Sequence, residues 1–364
     1  RRKSLDLLNS WGYELVMPPL MEYLDSLLTG VGRDLEIETF KLTDQITGKM
    51  MGVRADMTPQ VARIDTHYLR QSGATRLCYF GPVLRTRPDS LGGSRVPLQL
   101  GAELFGVADA EADIEIVELL VETLSCMGID NLHVDLAHMG VFTSLMQQTG
   151  LDEHARGSLM DAITSKSAPD VERRCNAFNV DEATQKLLVL MTDCSGEAAQ
   201  LDTVASEFAQ ASPEVADAFK NLAMIAGRLR KRLPDTRIYF DLASLSGQSY
   251  HTGLVFTVYI PGCGRAIANG GRYDDIGREF GRSRAATGFS LDLRAVAKQV
   301  NSEDDLPHRI CAPYEDDKAL MKAVKTLRES GKQVIFCYED DAIKQETNNA
   351  SRLVKKDDAW VIES

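Results

Sequence analysis

Cysteine-pair motifs, long apolar runs, histidine clusters and excess positive charge are all missing from this sequence. The seven cysteines, at positions 78, 126, 175, 194, 263, 311 and 337, are odd in number, widely scattered and never spaced C-x-x-C. That pattern suggests neither a disulfide framework nor a zinc site, and it fits a reducing cytoplasm. No apolar stretch approaches the ~20 residues that cross a bilayer, so no membrane association is expected. The opening RRKSLDLLNSWGYELV reads as an amphipathic helix rather than a signal peptide, and without an initiator Met it has a clipped look. At a formal net charge of -12, the chain lacks the basic field that displaces counterions along a nucleic acid. A small ligand or another protein is the expected partner.

Chemistry is thinly marked as well. His133 and His138 flank VDLA, and five positions in a strand send them to opposite faces with no further ligands nearby. No metal and no cofactor are expected. Neither a G-x-S-x-G elbow nor a Cys-His pair supports nucleophilic catalysis. The glycine-rich GCGRAIANGGRYDD, residues 262 to 275, lacks the spacing of a dinucleotide loop and the lysine of a phosphate loop, so it reads as a hairpin in which Gly270 and Gly271 permit a tight turn or a close approach.

What the sequence does hold is a core and an order. Its 364 residues, 44% of them apolar, are enough for two or three domains. YELVMPPLMEY reads as a strand punctuated by Pro18 and Pro19, and FKLTDQITGKMMGV as two strands about a turn at Thr47 and Gly48. Thr58 and Pro59 match the cap and first position of a helix. RLCYFGPVLRTRP and VPLQLGAELFG alternate as strands, ADIEIVELLVETLSCMG is an amphipathic helix, and LHVDLAH a further strand. Positions 140–232 read as helix only, a separate insertion. Strands return at RIYFDLA, HTGLVFTVYI, RAIANGG and ATGFSL. Beyond the linker NSEDDLP, strands HRICAPY, KQVIFCYED and AWVIES alternate with helices DDKALMKAVKTLRESG and DAIKQETNNASRL, a small α/β module with a mostly parallel sheet. The domains expected are therefore 1–139 with 233–300, the insertion 140–232, and 301–364.

Within this frame, alternation puts Gln99, Gly101 and Glu103 on one face of a strand, with glycine leaving room between two polar groups. They form either a ligand floor or an exposed sheet face. Asp56 and Thr58 stand at a strand-to-helix junction, as helix caps or as ligand contacts. Arg85 and Arg87 carry the planar fork that suits a carboxylate or phosphate, or are surface arginines at a strand end.

Taken together, VRADMTPQVAR, CYFGPVLRTRP, VPLQLGAELFG, SYHTG, NGGRYDD and ATGFSLDLR resemble, in order and spacing, the catalytic domain of histidyl-tRNA synthetases over roughly residues 1–300. The resemblance implies an α+β fold with the class II antiparallel sheet, flanking helices, a helical insertion, a shortened anticodon-binding-like C-terminal module and a homodimer. The departures from the family are informative. Its PEGT-like motif stands here as Ala55-Asp56-Met57-Thr58, keeping acid and hydroxyl. FRYERP is reduced to LRTRP, keeping Arg85 and losing a glutamate. RGLDYYTG becomes Ser246 through Gly253, with serine for the activating arginine and His251 for a tyrosine. GFAIGLERL becomes GFSLDLRAV, with Asp292 for a glycine and Ala295 where the final arginine stood, unless that arginine has shifted to Arg294.

An amino-acid pocket kept beside a damaged ATP site resembles the regulatory-subunit family of ATP phosphoribosyltransferase. That likeness implies a non-catalytic cytoplasmic protein of histidine biosynthesis. It implies assembly with a short-form catalytic subunit as a hetero-octamer, activation of that subunit, and binding of L-histidine for feedback inhibition. By the same resemblance Glu103 and Tyr273 contact the imidazole, Asp56, Thr58 and Gln99 the α-amino end, Arg85 the carboxylate, and Tyr250 with His251 form the lid-side edge. A divergent histidyl-tRNA synthetase and a stand-alone histidine sensor are the alternatives.

Overall fold

The computed structural model describes residues 1–29, 33–88, 93–245, 251–278, 281–300, 309–337, 350–356 and 359–363. They form two compact units, Arg1–Val300 and Asn301–Ser364.

The strands of the first unit are β1 (Glu14–Val16), β2 (Met21–Tyr23), β3 (Phe40–Thr43), β4 (Met50–Val53), β5 (Thr75–Pro82), β6 (Leu98–Phe105), β7 (His133–His138), β8 (Ser195–Glu197), β9 (Arg237–Asp241), β10 (Leu254–Tyr259), β11 (Ala268–Arg272) and β12 (Ala286–Asp292). Among the described residues, nine of them form one sheet in the order β1-β5-β6-β12-β11-β10-β7-β9-β8. All its pairs are antiparallel except β1 with β5 and β7 with β9. A small antiparallel sheet, β2-β4-β3, stands apart from it. The α+β fold expected from the motifs is the fold observed. Pro18 and Pro19 divide the expected strand YELVMPPLMEY into β1 and β2, which join different sheets. Proline lacks the N–H that would continue a ladder.

The two-residue period of β6 decides what each face does. Leu100, Ala102 and Leu104 enter the main core with Ile116, Val117, Leu120 and Leu124 of the helix Ala110–Cys126. A leucine fully buried there contributes roughly 2 kcal/mol. That helix stops where Gly128 takes a left-handed φ of 84°, a conformation that costs glycine nothing. Gln99, Gly101 and Glu103 occupy the other face of β6. A second, smaller core forms there from Met57, Val61, Leu77, Tyr79, Phe105 and Tyr273. The helix Thr58–Arg63 covers this face. Met57 is its cap residue, one position ahead of the expected Thr58.

Between β7 and β9 run the helices Met139–Thr149, Glu153–Thr164, Ala168–Ala177, Glu182–Met191, Leu201–Glu207 and Pro213–Arg232. Asp152, Asp181 and Ser212 each accept a backbone N–H three residues on, the capping their residue types favour. The segment is not helix alone, as the sequence led us to expect. β8 pairs with β9 at the sheet edge, and three residues carry too little alternation to betray it.

The second unit holds β13 (Arg309–Pro313), the helix Lys318–Glu329, β14 (Gln333–Cys337), β15 (Ala350–Lys356) and β16 (Ala359–Glu363), in the sheet order β14-β13-β15-β16. β13 is parallel to β14 and β15, and β16 is antiparallel to β15. The expected helix DAIKQETNNASRL fails at its end. Positions 341–349 lie outside the described residues, while Ser351 and Leu353 are buried on either side of exposed Arg352, in strand. Pairing with β13 overrides local propensity here. Cys311 and Cys337, on adjacent strands with Cα atoms 6.0 Å apart, are joined by a disulfide. This corrects the expectation of none. Their 26-residue separation gives no spacing motif, and only the β13–β14 register brings them together.

Candidate ligand-binding site

Glu103 is 1% exposed and is held by three hydroxyls from three parts of the chain. Its Oε1 accepts from Thr58 at 3.0 Å and Tyr79 at 2.9 Å, and its Oε2 accepts from Tyr273. Glycines make the space. Gly288 lies opposite Glu103 on β12, and a Cβ there would overlap Glu103 Oε2. Gly101 lies opposite Tyr79 on β5, and a Cβ there would strike the Tyr79 ring. The room expected at Gly101 therefore goes to a phenol of the protein itself.

Next to this cage, Gln99 Nε2 donates to Asp56 Oδ1 at 2.6 Å, and Gln99 Oε1 accepts from Met57 N at 3.0 Å. Asp56 Oδ1 also accepts from Thr58 N at 3.2 Å. Asp56 thus secures the start of the helix while its carboxylate stays fixed beside Glu103. Asp56 therefore supports the helix end from just before its cap residue, Met57, and also lines the cavity beside it. Gln99 and Glu103 are buried, which removes the exposed-face reading.

A cavity opens over these groups, lined by Asp56, Thr58, Glu103, His251, Asn269, Gly270, Tyr273, Gly288, Phe289 and Ser290. Gln99 supports Asp56 from behind. Arg85 is not part of the lining. Its Nε donates to Ala55 O at 3.2 Å and lies 3.8 Å from Glu38 Oε2, so it braces the turn that carries Asp56. Tyr250 and Ser246 lie outside the described residues. Thr252 N donates to Arg272 O at 2.8 Å, and Asp274 N donates to Thr252 Oγ1 at 3.1 Å. His251 is thereby held against β11, where a Cβ at Gly271 would come within 2.8 Å of its ring. Gly270 and Gly271 thus sit inside a strand, where they serve close approach instead of the turn.

Burial pushes the Glu103 carboxyl up to about 8. Bonds from Tyr273, Tyr79 and Thr58 oppose the rise, and the negative charge of Asp56 adds to it. Burial likewise drives the Tyr79 phenol well above its ordinary value. No lysine or arginine lines the cavity among the described residues. The site therefore suits a ligand that brings hydrogen-bond donors or positive charge, and it is a poor seat for polyphosphate.

The positions that depart from the synthetase pattern have other work. Asp292 Oδ1 accepts from Leu98 N at 2.9 Å and Arg294 N at 3.0 Å, capping the helix Leu293–Ala297 and tying it to β6. Arg294 donates to Val96 O at 2.9 Å, Ala295 is buried and Arg87 is exposed. Sequence reasoning missed Tyr79, Asn269 and Ser290. Tyr79 carried one signal, its place in an alternating strand, but its role depends on standing opposite Gly101.

Known proteins resemble this chain in sequence and fold. Residues 1–296 match the histidyl-tRNA synthetase family and residues 307–363 the ATP phosphoribosyltransferase subunit HisZ C-terminal domain. An ATP phosphoribosyltransferase regulatory subunit of Alkalilimnicola ehrlichii is 44% identical over 99% of this chain and 91% of its own length. One from Thioalkalivibrio sulfidiphilus is 46% identical over 92% of this chain and 85% of its own. Among solved structures, an ATP phosphoribosyltransferase regulatory subunit/histidyl-tRNA synthetase from Bacillus halodurans superposes with a TM-score of 0.81 at 22% identity, covering 98% of this chain and 93% of that one. A histidyl-tRNA synthetase from a Nostoc species gives 0.78 at 16%, covering 97% and 86%. Both likenesses are of fold. With the synthetase-type main unit, the HisZ-type second unit and near full-length relatives together, the chain belongs to the family of ATP phosphoribosyltransferase regulatory subunits.

Proposed function

We propose that this chain works in histidine biosynthesis as a non-catalytic subunit. It assembles with a short-form ATP phosphoribosyltransferase catalytic subunit in the cytoplasm, raises its activity and makes it sensitive to L-histidine. The hetero-octamer, and the homodimer of this chain within it, belong to the same reading. The observation that carries it is the Glu103 cavity, a buried acid caged by three hydroxyls with Asp56 beside it and no basic side chain among its described walls. Such a cavity suits the imidazole and ammonium of an amino acid and lacks the cations that amino-acid activation by ATP would need. Glu103 and Tyr273 meet the ring, Asp56 and Thr58 the amino end, and Gln99 fixes Asp56. His251 forms the edge, and Arg85 acts through the Ala55 turn.

Histidine inhibits only if it binds the low-activity state of the assembly more tightly, and substrate at the catalytic subunit must then oppose histidine to the same extent. The test is a steady-state assay of a matched short-form catalytic subunit with and without this chain across a histidine titration. A raised rate that histidine lowers, with the sensitivity lost in Glu103→Ala, supports the proposal. An unchanged rate at all histidine concentrations refutes it. ATP–pyrophosphate exchange driven by histidine would favour the synthetase alternative.

A further inference from the structure

The inference rests on the cavity being a histidine site and concerns the proton that histidine binding involves. Glu103 is fully enclosed, and titratable groups face it from several elements. Asp56 precedes the helix Thr58–Arg63, Tyr79 comes from β5, Tyr273 follows β11, and His251 stands at the cavity edge. Tyr13, whose hydroxyl donates to Glu115, also senses the Glu103 charge. No arginine or lysine is present among the described lining residues. A carboxylate here gives up water and gains three hydroxyls but no cation, and burial outweighs those bonds, so the empty site favours the protonated acid.

An imidazole entering the cavity changes that balance. Its ring accepts a proton at one nitrogen, and Glu103 can supply one without drawing on solvent. We propose that Glu103 and the effector's imidazole share a single proton, brought to the complex by Glu103 itself, so that histidine binding neither takes up nor releases a proton near neutral pH. The carboxylic acid plus neutral imidazole becomes a carboxylate–imidazolium pair, and atoms and charge balance. In more alkaline solution Glu103 enters empty of its proton, and one must be taken from solvent. In more acid solution the free imidazole is already protonated, and one proton is released. Affinity falls on both sides, tending to about tenfold per pH unit.

Calorimetry of the chain with L-histidine, in buffers of different ionisation enthalpy, counts these protons. With Glu103 near 8 and imidazole near its ordinary ~6.5, uptake is close to zero at about pH 7 and rises to most of one proton at about pH 8.5. Uptake of nearly one proton at about pH 7 overturns the proposal, because Glu103 would then start as an ordinary carboxylate. Zero uptake at both pH values also overturns it, because the ring would then bind neutral to an ionised acid. Absence of any binding across the series sinks the histidine-site reading itself, a different failure from either of these. A Glu103→Gln chain that still binds loses the alkaline rise, apart from what the effector's amine contributes.

Discussion

Replacing Glu103 by Gln gives the sharpest test of the buried acid without any ligand. Glutamine keeps the shape, and its amide oxygen can accept the Thr58 and Tyr79 hydroxyls. An unfolded Glu103 titrates at its ordinary 4.5, and the folded one at about 8. The folded state therefore binds the extra proton between these values. The contribution of the acid to stability is full below 4.5 and is lost as pH rises through 8. One pKa unit corresponds to about 1.4 kcal/mol. From about pH 5.5 to about pH 8.5 the wild type should lose roughly 3 kcal/mol more than Glu103→Gln. Urea unfolding of both proteins at matched pH, followed through Trp11 fluorescence in the first unit, measures the difference, and other titrating groups cancel between them. Parallel stability curves would mean that Glu103 is an ordinary ionised carboxylate whose hydroxyl bonds offset its burial, which rules out its raised pKa.

Tyr79→Phe keeps the ring over Gly101 and removes one hydroxyl from Glu103, so histidine affinity should drop about two- to tenfold with little change in fold, measured by titration calorimetry. Gly288→Ala pushes a methyl group into the Glu103 carboxylate and should cost about 1–3 kcal/mol, with histidine sensitivity lost in the coupled assay. Burial holds His138 down to about 4, with the Arg272 charge acting in the same direction and Asn221 against it. Its share of stability is present above its ordinary 6.5 and is lost as pH falls through 4. A His138→Gln chain should show a flatter acid limb in urea unfolding. Asp292→Ala removes the cap shared by Leu98 and Arg294 and should cost about 1 kcal/mol, while ATP–pyrophosphate exchange stays at background before and after.

How far the sequence foretold the site depended on the range of the interaction. Gln99 and Glu103 could be read because period two is a local property of one strand, and Asp56 with Thr58 because a strand-to-helix junction is local too. Tyr79 could not. Its alternation marks it as a strand residue, and only the register placing it opposite Gly101 turns its hydroxyl toward Glu103. Asn269 and Ser290 stand opposite each other on β11 and β12 and become cavity walls for the same reason. Arg85 was legible as a donor but not as to its acceptor, since Ala55 O reaches it across 30 positions. β8 and the 350–356 strand were lost to brevity and to pairing with strands far along the chain.

Asp292 bears most directly on how this chain departs from the synthetase pattern. A carboxylate beside triphosphate oxygens repels them, yet here it fastens β12, β6 and the helix Leu293–Ala297 at one point. A phosphate site would disfavour that residue, whereas a fixed junction of two interior strands and a helix makes direct use of it. The Glu103 cage follows the same logic, because its donors come from β5, from the helix Thr58–Arg63 and from the segment after β11. A ligand that takes part in this cage bonds to several elements at once, so it responds to their relative positions. A binding subunit needs that response, because a ligand shifts a conformational equilibrium only by its difference in affinity between the two states.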